Sequence, residues 1–181
     1  TSWNGTKVAG DKGNMTDAGT RVPLIASWPA GIKQPGRVDD NLVEFCDVMP
    51  TLCEVTGAKL PSNYPGDGSS IVPVLQNNAN ARKKDWIYIW YSRSGHSDQG
   101  QVMVRNKQYS LLAKTDGSNA RLTRYKGPFD GEKLEGSALS QPESAIKQQF
   151  KATLARLAKS RLLSVSNEIR VKIQKPRRNR K

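Results

Sequence analysis

Hydrophobic positions along the chain follow two rhythms. In the first, short apolar runs alternate with glycine- and proline-rich breaks. The run Arg21-Val22-Pro23-Leu24-Ile25-Ala26-Ser27-Trp28 has the length and character of a strand buried on both faces of a largely parallel sheet. Pro23 near its start is tolerated there. Before it, Gly5, Gly10, Gly13 and Gly19 interrupt any period, so residues 1–20 read as an exposed loop. After it, residues 29–36 carry turn chemistry and residues 42–46 form a second apolar run. A helix is predicted over 48–56: Asp47 can cap it, Pro50 falls in the first turn, Leu52, Cys53 and Val55 supply a buried stripe, and Gly57 ends it. Residues 60–68 are a proline and glycine loop, and 69–76 predict one more short turn of helix.

The polar stretch 77–84 marks the change to the second rhythm. Residues 86–91, 101–105, 109–113 and 121–125 are short runs rich in β-branched and aromatic types, with Asn106-Lys107 and Asp116-Gly117 as turns. They predict a small antiparallel sheet. Over 142–163, Ile146, Phe150, Leu154 and Leu157 recur at helical spacing with lysines and arginines between them, which predicts an amphipathic helix packed on that sheet. From Ser164 onward, Ile169, Val171 and Ile173 alternate as in a last strand, or belong to an unstructured tail. The expected organisation is therefore a distal α/β portion over 1–80, a sheet-and-helix subdomain over 81–165 and a basic tail over 166–181.

Composition narrows the class. A chain of 181 residues holds one domain, or a small domain and part of a larger one. A hydrophobic content of 36% is lean for a self-sufficient core but far from the depletion that marks full disorder. No apolar run approaches the ~18 residues of a membrane-spanning helix. The chain opens on Thr1 with no charged-then-apolar leader, so the true amino terminus is expected upstream. Of the net charge of +13, residues 170–181 supply seven Lys or Arg and no acid, leaving about +6 on the body. Such a terminal run is ordinarily a solvated end and does not by itself make a nucleic-acid reader. Cys46 and Cys53, seven apart, would sit about 10.5 Å apart on one helix, beyond the ~7 Å reach of a disulfide. They lack the Cys or His partners of a zinc site, and packing is their expected role.

The motifs then resemble a family. Lys12-Gly13-Asn14-Met15-Thr16-Asp17-Ala18-Gly19-Thr20-Arg21-Val22-Pro23-Leu24-Ile25, followed by Trp28-Pro29-Ala30-Gly31-Ile32, is similar to the lysine-glycine loop and following strand of the sulfatases. Asp47-Val48-Met49-Pro50-Thr51-Leu52, Thr56-Gly57-Ala58, Asp67-Gly68-Ser69-Ser70 and Pro73-Val74-Leu75 continue the resemblance in order. Further on, Asn106-Lys107-Gln108-Tyr109-Ser110-Leu111 resembles the lysine-tyrosine-lysine strand of those enzymes, whereas Phe129-Asp130-Gly131-Glu132 is at most a remnant of their aspartate-proline-x-glutamate loop. The resemblance implies an α/β fold: the end of a large mixed sheet, a small antiparallel sheet and a packed terminal helix, together the carboxy-terminal part of a sulfatase-like sandwich.

It also implies sulfate-ester hydrolysis, with a divalent cation, usually calcium, and a formylglycine made from Cys or Ser in a Cys/Ser-x-Pro-x-Arg motif. Cys46 is followed by Asp47-Val48-Met49 and Cys53 by Glu54-Val55-Thr56, and no serine stands in that context. Thr1-Ser2-Trp3-Asn4-Gly5 mimics the family's cation-binding stretch, but with Trp3 where an oxygen ligand is needed. We therefore expect no catalytic residue and no metal ligand in this chain, the calcium ligands lying mostly outside it, and no turnover by the chain alone. By resemblance, Lys12 would contact a sulfate oxygen, a role its flexible ammonium in a glycine-flanked loop suits; otherwise it is one of twenty-nine surface cations. Gly10-Asp11-Lys12-Gly13 lacks the spacing of a phosphate-cradling loop. His96, the only histidine, lies between two predicted strands and would reach substrate if that loop leans over the pocket, or be a plain loop histidine. Asn4-Gly5-Thr6 and Asn14-Met15-Thr16 match glycosylation acceptors.

The partners so implied are a sulfate ester, with sulfated carbohydrate as its class, and the missing amino-terminal part of the same protein, in the periplasm or outside the cell. Three other readings remain open: a basic polyanion- or nucleic-acid-binding module motivated by the tail, a phosphate-ester hydrolase of the same superfamily, and a non-catalytic relative.

Overall fold

The structure, a computed structural model, describes residues 2–3, 5–8, 10–64, 66–81, 83–96, 99–134 and 139–160. In chain order, a minimal antiparallel hairpin (β1, Ser2–Trp3; β2, Thr6–Lys7) precedes one helical turn (α1, Asp17–Thr20). A 3-10 turn at Phe45–Asp47 leads into α2 (Val48–Thr56), and α3 (Val72–Leu75) follows. Five strands then form an antiparallel meander in sequence order: β3 (Ile87–Tyr91), β4 (Gln101–Arg105), β5 (Tyr109–Lys114), β6 (Arg121–Gly127) and β7 (Asp130–Lys133). The last described element is α4 (Gln141–Ser160).

Register explains why both faces of this sheet are covered. Val102 pairs with Ala113, Val104 with Leu111, and Leu111 with Leu122, which stacks alternate side chains of β4, β5 and β6 on one face. Phe150 and Leu154 of α4 close over them, and these seven residues form the core, with Trp86, Tyr88 and Ile146 packed at its edge. The intervening residues Met103, Arg105, Ser110 and Tyr125 belong to the opposite face. There the Arg105 guanidinium lies 4.8 Å from the Tyr125 ring, and the Ser110 and Tyr125 hydroxyls are 3.0 Å apart.

Turn chemistry sets that register. Asn106 Oδ1 accepts the N–H groups of Gln108 and Tyr109 at 2.9 and 2.6 Å, closing the β4–β5 connection. Asp116 does the same for Ser118 at 2.8 Å in the β5–β6 turn. At the start of α4, the Ser140 N–H and hydroxyl both donate to Glu143 Oε2, at 2.9 and 2.8 Å. The other Glu143 oxygen accepts from Arg124 at 2.8 Å, fixing the helix to β6.

Several expectations fail here. No strand forms over 21–28: the segment is irregular and exposed, Ile25 at 90%. A buried parallel strand needs neighbours on both sides to take its N–H and C=O groups, and none of the described residues pairs with it. The stripe on α2 is not buried either, since Leu52 and Val55 are exposed and Pro50 is its buried residue. Asp47 makes no side-chain cap to α2; its carboxylate turns back to the Glu44 N–H in a box around the preceding 3-10 turn. The opening segment is more than a loop, because it holds the small hairpin and buries Met15 and Asp17. β7 occupies what the sequence offered only as a remnant loop. The predicted sheet strands and α4 agree with the structure to within a few residues at their ends, while residues 161–163 and the segment from Ser164 onward lie outside the described residues.

Phe150 is 1% exposed at the centre of the core, so Phe150→Ala should destabilise the chain by about 3–5 kcal/mol. Phe45→Ala, at a site 84% exposed, should change it by less than about 0.5 kcal/mol. Urea unfolding of the two variants checks the contrast.

Candidate functional site

The best-built polar arrangement couples the Lys12 loop to the sheet through one carboxylate. Asp17, at the start of α1, is 6% exposed and faces Arg105 of β4, which is 4% exposed. Arg105 Nη1 donates to Asp17 Oδ1, Arg21 Nε donates at 3.1 Å to Oδ2, and the Phe129 N–H donates at 2.8 Å to Oδ2. Burial opposes ionisation of Asp17, but the Arg105 hydrogen bond, the Phe129 N–H and the two guanidinium charges outweigh it and hold the carboxyl below its ordinary value. Phe129 has φ of 62°, a left-handed conformation that a bulky residue adopts only when its surroundings enforce it. Asp17 takes its N–H, and the Arg21 guanidinium lies 6.0 Å from its ring centre.

Above this anchor the Lys12 loop is pinned from within. Asp11 accepts from the Asn14 side-chain amide and the Thr16 hydroxyl, and hydrogen bonds from Thr16 and then Asn14 lower its pKa. Thr16 caps α1 by accepting the Gly19 N–H at 3.1 Å. Gly19 cannot carry a side chain: a Cβ there would lie 2.1 Å from the Asn14 carbonyl oxygen. Gly13 has φ of +89°, and its open side meets the end of β3, 3.3 Å from Tyr91 Oη and 3.7 Å from Arg93 Nη2 measured from an ideal Cβ. Lys12 itself is exposed. The loop thus sets Gly13 against a phenol and a guanidinium, with the exposed Lys12 next to it in sequence; these are donor types suited to the oxygens of a tetrahedral anion.

Of the two residues singled out from sequence, Lys12 is exposed and precedes Gly13 in this loop. His96 is exposed three residues beyond Arg93, and the hydrogen bonds described for it are backbone ones, its N–H to Ser94 Oγ at 3.3 Å and its carbonyl from the Gln99 N–H at 3.3 Å. Tyr91 and Arg93 were missed. The available signal was a cation two residues past the end of an aromatic strand, in the same loop as the histidine.

A second cluster lies where α2 meets β3. Glu44, Cys46 and Asp47 bring their ligand atoms within 4.8 Å of one another. Its cation is already present: Lys84 Nζ lies 2.6 Å from Glu44 Oε2 and 2.8 Å from Asp47 Oδ1. The remaining two oxygens, Glu44 Oε1 and Asp47 Oδ2, accept the N–H groups of Tyr88 and Glu44 at 2.8 and 2.9 Å, and Asp47 Oδ1 also accepts the Ser69 N–H at 2.8 Å. A calcium ion takes about 6–8 oxygens, and these side chains do not fit one. Burial, followed by the charge of Glu44, pushes the Cys46 thiol up to about 12, so it is a poor nucleophile at neutral pH. Cys46 and Cys53 are both free thiols, half-buried.

Comparison with known proteins identifies the family and the fold. A family model described as N-sulphoglucosamine sulphohydrolase, C-terminal, matches residues 5–160. An ulvan-active sulfatase of Formosa agariphila is 42% identical over 104 residues, 56% of this chain and 20% of that protein. Steryl-sulfatase of Mus musculus is 34% identical over 79 residues, 44% of this chain and 12% of that protein. Arylsulfatase D of Homo sapiens is 39% identical over 95 residues, 52% and 16% respectively. The chain thus spans a fifth or less of these curated relatives. A solved sulfatase-like chain from Bacteroides thetaiotaomicron superposes with a TM-score of 0.57 at 24% identity, covering 72% of this chain and 28% of its own, which shows the fold.

Because its folded pKa is depressed, Asp17 contributes stability that is complete above its unfolded value of about 3.9 and lost as pH falls through the folded value. Asp17→Asn should cost about 3–5 kcal/mol at pH 7 by leaving Arg105 short of its partner. The gap between variant and parent should narrow below about pH 4. Denaturant midpoints at both pH values check this.

Proposed function

Since the chain belongs to the N-sulphoglucosamine sulphohydrolase C-terminal family, we propose that it forms the carboxy-terminal part of a sulfuric ester hydrolase and gives that enzyme a cationic wall around the sulfate. The supporting observation is the corner in which the Lys12-Gly13 loop abuts Tyr91 and Arg93. A sulfate ester presents an anionic centre to its attacker, so cations held against the nonbridging oxygens lower the barrier by offsetting charge repulsion. Lys12 supplies a point charge, Arg93 a planar fork able to take two oxygens, and Tyr91 a directional hydroxyl.

The attacking group belongs elsewhere. Neither cysteine begins a Cys/Ser-x-Pro-x-Arg run, and Cys46 is held as a neutral thiol. We place the formylglycine nucleophile and the calcium ligands in an amino-terminal part of the same protein, and expect no turnover from these 181 residues alone. The exposed apolar residues Val22, Leu24, Ile25, Phe45, Met49 and Leu52 give that part a surface to cover, and strands contributed by it would pair with residues 21–28. The proposed substrate is a sulfated carbohydrate, in keeping with the ulvan-active relative. No helix among the described residues is long and apolar enough to cross a membrane, and we propose a periplasmic or extracellular location from the family likeness.

In the longer protein, Lys12→Ala and Arg93→Ala should each lower kcat/KM for a small monosulfated ester about 10²-fold. Steady-state kinetics check this. Unchanged values in both variants, or metal-dependent turnover by the 181-residue chain alone, would overturn the reading.

A further inference from the structure

The charge of the chain is very unevenly placed. Residues 141–181 hold twelve of the twenty-nine Lys and Arg but two of the sixteen acids, and so carry +10 of the net +13. Part of this excess lies on α4, where its position is set by packing. Ile146, Phe150 and Leu154 turn toward the sheet, which leaves Lys151, Arg156 and Lys159 exposed on the outer half of the helix and Lys147 half-buried on its flank. These four span about 18 Å at 1.5 Å per residue.

The strip is uncompensated. The single acid of the helix, Glu143, is buried and engaged by Ser140 and Arg124. None of the four cations has a carboxylate within salt-bridge distance among the described residues, whereas Arg37, Lys107 and Arg124 on other surfaces are paired with Asp39, Asp40 and Glu132. Lys147 and Lys151, one turn apart, repel each other at a small cost to the helix. Arg156 lies over the Trp86 ring, 5.7 Å from its centre, which anchors its stem at the sheet edge.

We propose that this outer face of α4 docks a linear sulfated polysaccharide, holding the polymer by its charges while the Lys12 corner engages one sulfate. The assignment of the polymer rests on the sulfatase reading. Its affinity would come from release of counterions, which needs a row of unpaired cations and little else. The exposed positions between them are Gln148, Gln149, Ala152 and Ala155, with no aromatic on which a nucleotide base could stack. That favours a saccharide over single-stranded nucleic acid. The sequence following α4 continues with the same sign, eight Lys or Arg against one acid over residues 161–181.

The test is binding of a fluorescent heparin-derived dodecasaccharide to the 181-residue chain across a salt series. The parent should bind with an affinity that falls steeply with salt. The K147E/K151E/K159E variant, folded by circular dichroism, should bind about 10-fold or more weakly, with a salt slope smaller by about 2–3. Equal affinity and slope in that variant would overturn the proposal, as would loss of binding on truncation after residue 160 with none on charge reversal. Tighter binding of a double-stranded DNA of equal charge would overturn the saccharide assignment. In the longer protein the same variant should keep turnover of a small monosulfated ester and raise KM for a sulfated polymer. A protein that fails on the small ester in its unmodified form contradicts the sulfatase reading instead, and the binding series is read separately from it.

Discussion

Asp17 has to be ionised, buried and shared, and the arrangement of the chain's two halves follows from that requirement. A carboxylate removed from water is tolerated only when charged or N–H donors replace the solvent it loses. Here they come from three places far apart in sequence: Arg21 from its own helical turn, Arg105 from the second strand of the meander, and the Phe129 N–H from the β6–β7 turn. Satisfying one group therefore brings the Lys12 loop, the back of the sheet and an unusual turn together. The strained backbone at Phe129 and the burial of a guanidinium against Tyr125 are consequences of the same demand.

Function inherits this geometry. The meander uses one face for an apolar core with α4 and the other for polar attachments to the amino-terminal half. A second set of contacts, with Lys84 between Glu44 and Asp47 and Tyr88 bonded to Glu44, fixes the start of β3 to the 3-10 turn and α2. With β3 held at that end, its other end delivers Tyr91 and Arg93 to Gly13. The proposed anion corner is thus built across two segments, neither of which contains it alone. In the proposed corner the loop that carries Lys12 is held by carboxylates, Asp11 and Asp17, that lie outside the corner itself.

The sheet and its helix were legible because their information is local. Alternation in Val102-Met103-Val104, the Asn106 and Asp116 turns and the Phe150 and Leu154 spacing each specify an element without reference to distant residues. The amino-terminal half was misread wherever the answer depended on a partner. Residues 21–28 have the composition of a buried strand, but a strand exists only in a ladder, and no described residue supplies one. Leu52 and Val55 carry helical spacing toward a surface left open. Asp47 looked like a helix cap, yet its carboxylate is committed to Ser69 and Lys84, contacts that no local pattern announces. At the site, the lysine-glycine motif drew attention to Lys12. Arg93 was invisible because its importance comes only from a turn in space that sets it beside Gly13.

That the Lys12 loop is held in place by the buried Asp17–Arg105 contact can be read directly by native-state hydrogen exchange. The informative comparison is the amides of Asn14, Gly19 and Thr20, all hydrogen-bonded within the loop and α1, in the parent chain and in Arg105→Met. Faster exchange at these amides in the variant, with the centres of β4 and β5 still protected, is the result this account predicts. Unchanged exchange across residues 11–20 would show that the loop keeps its place without the contact, and would contradict it.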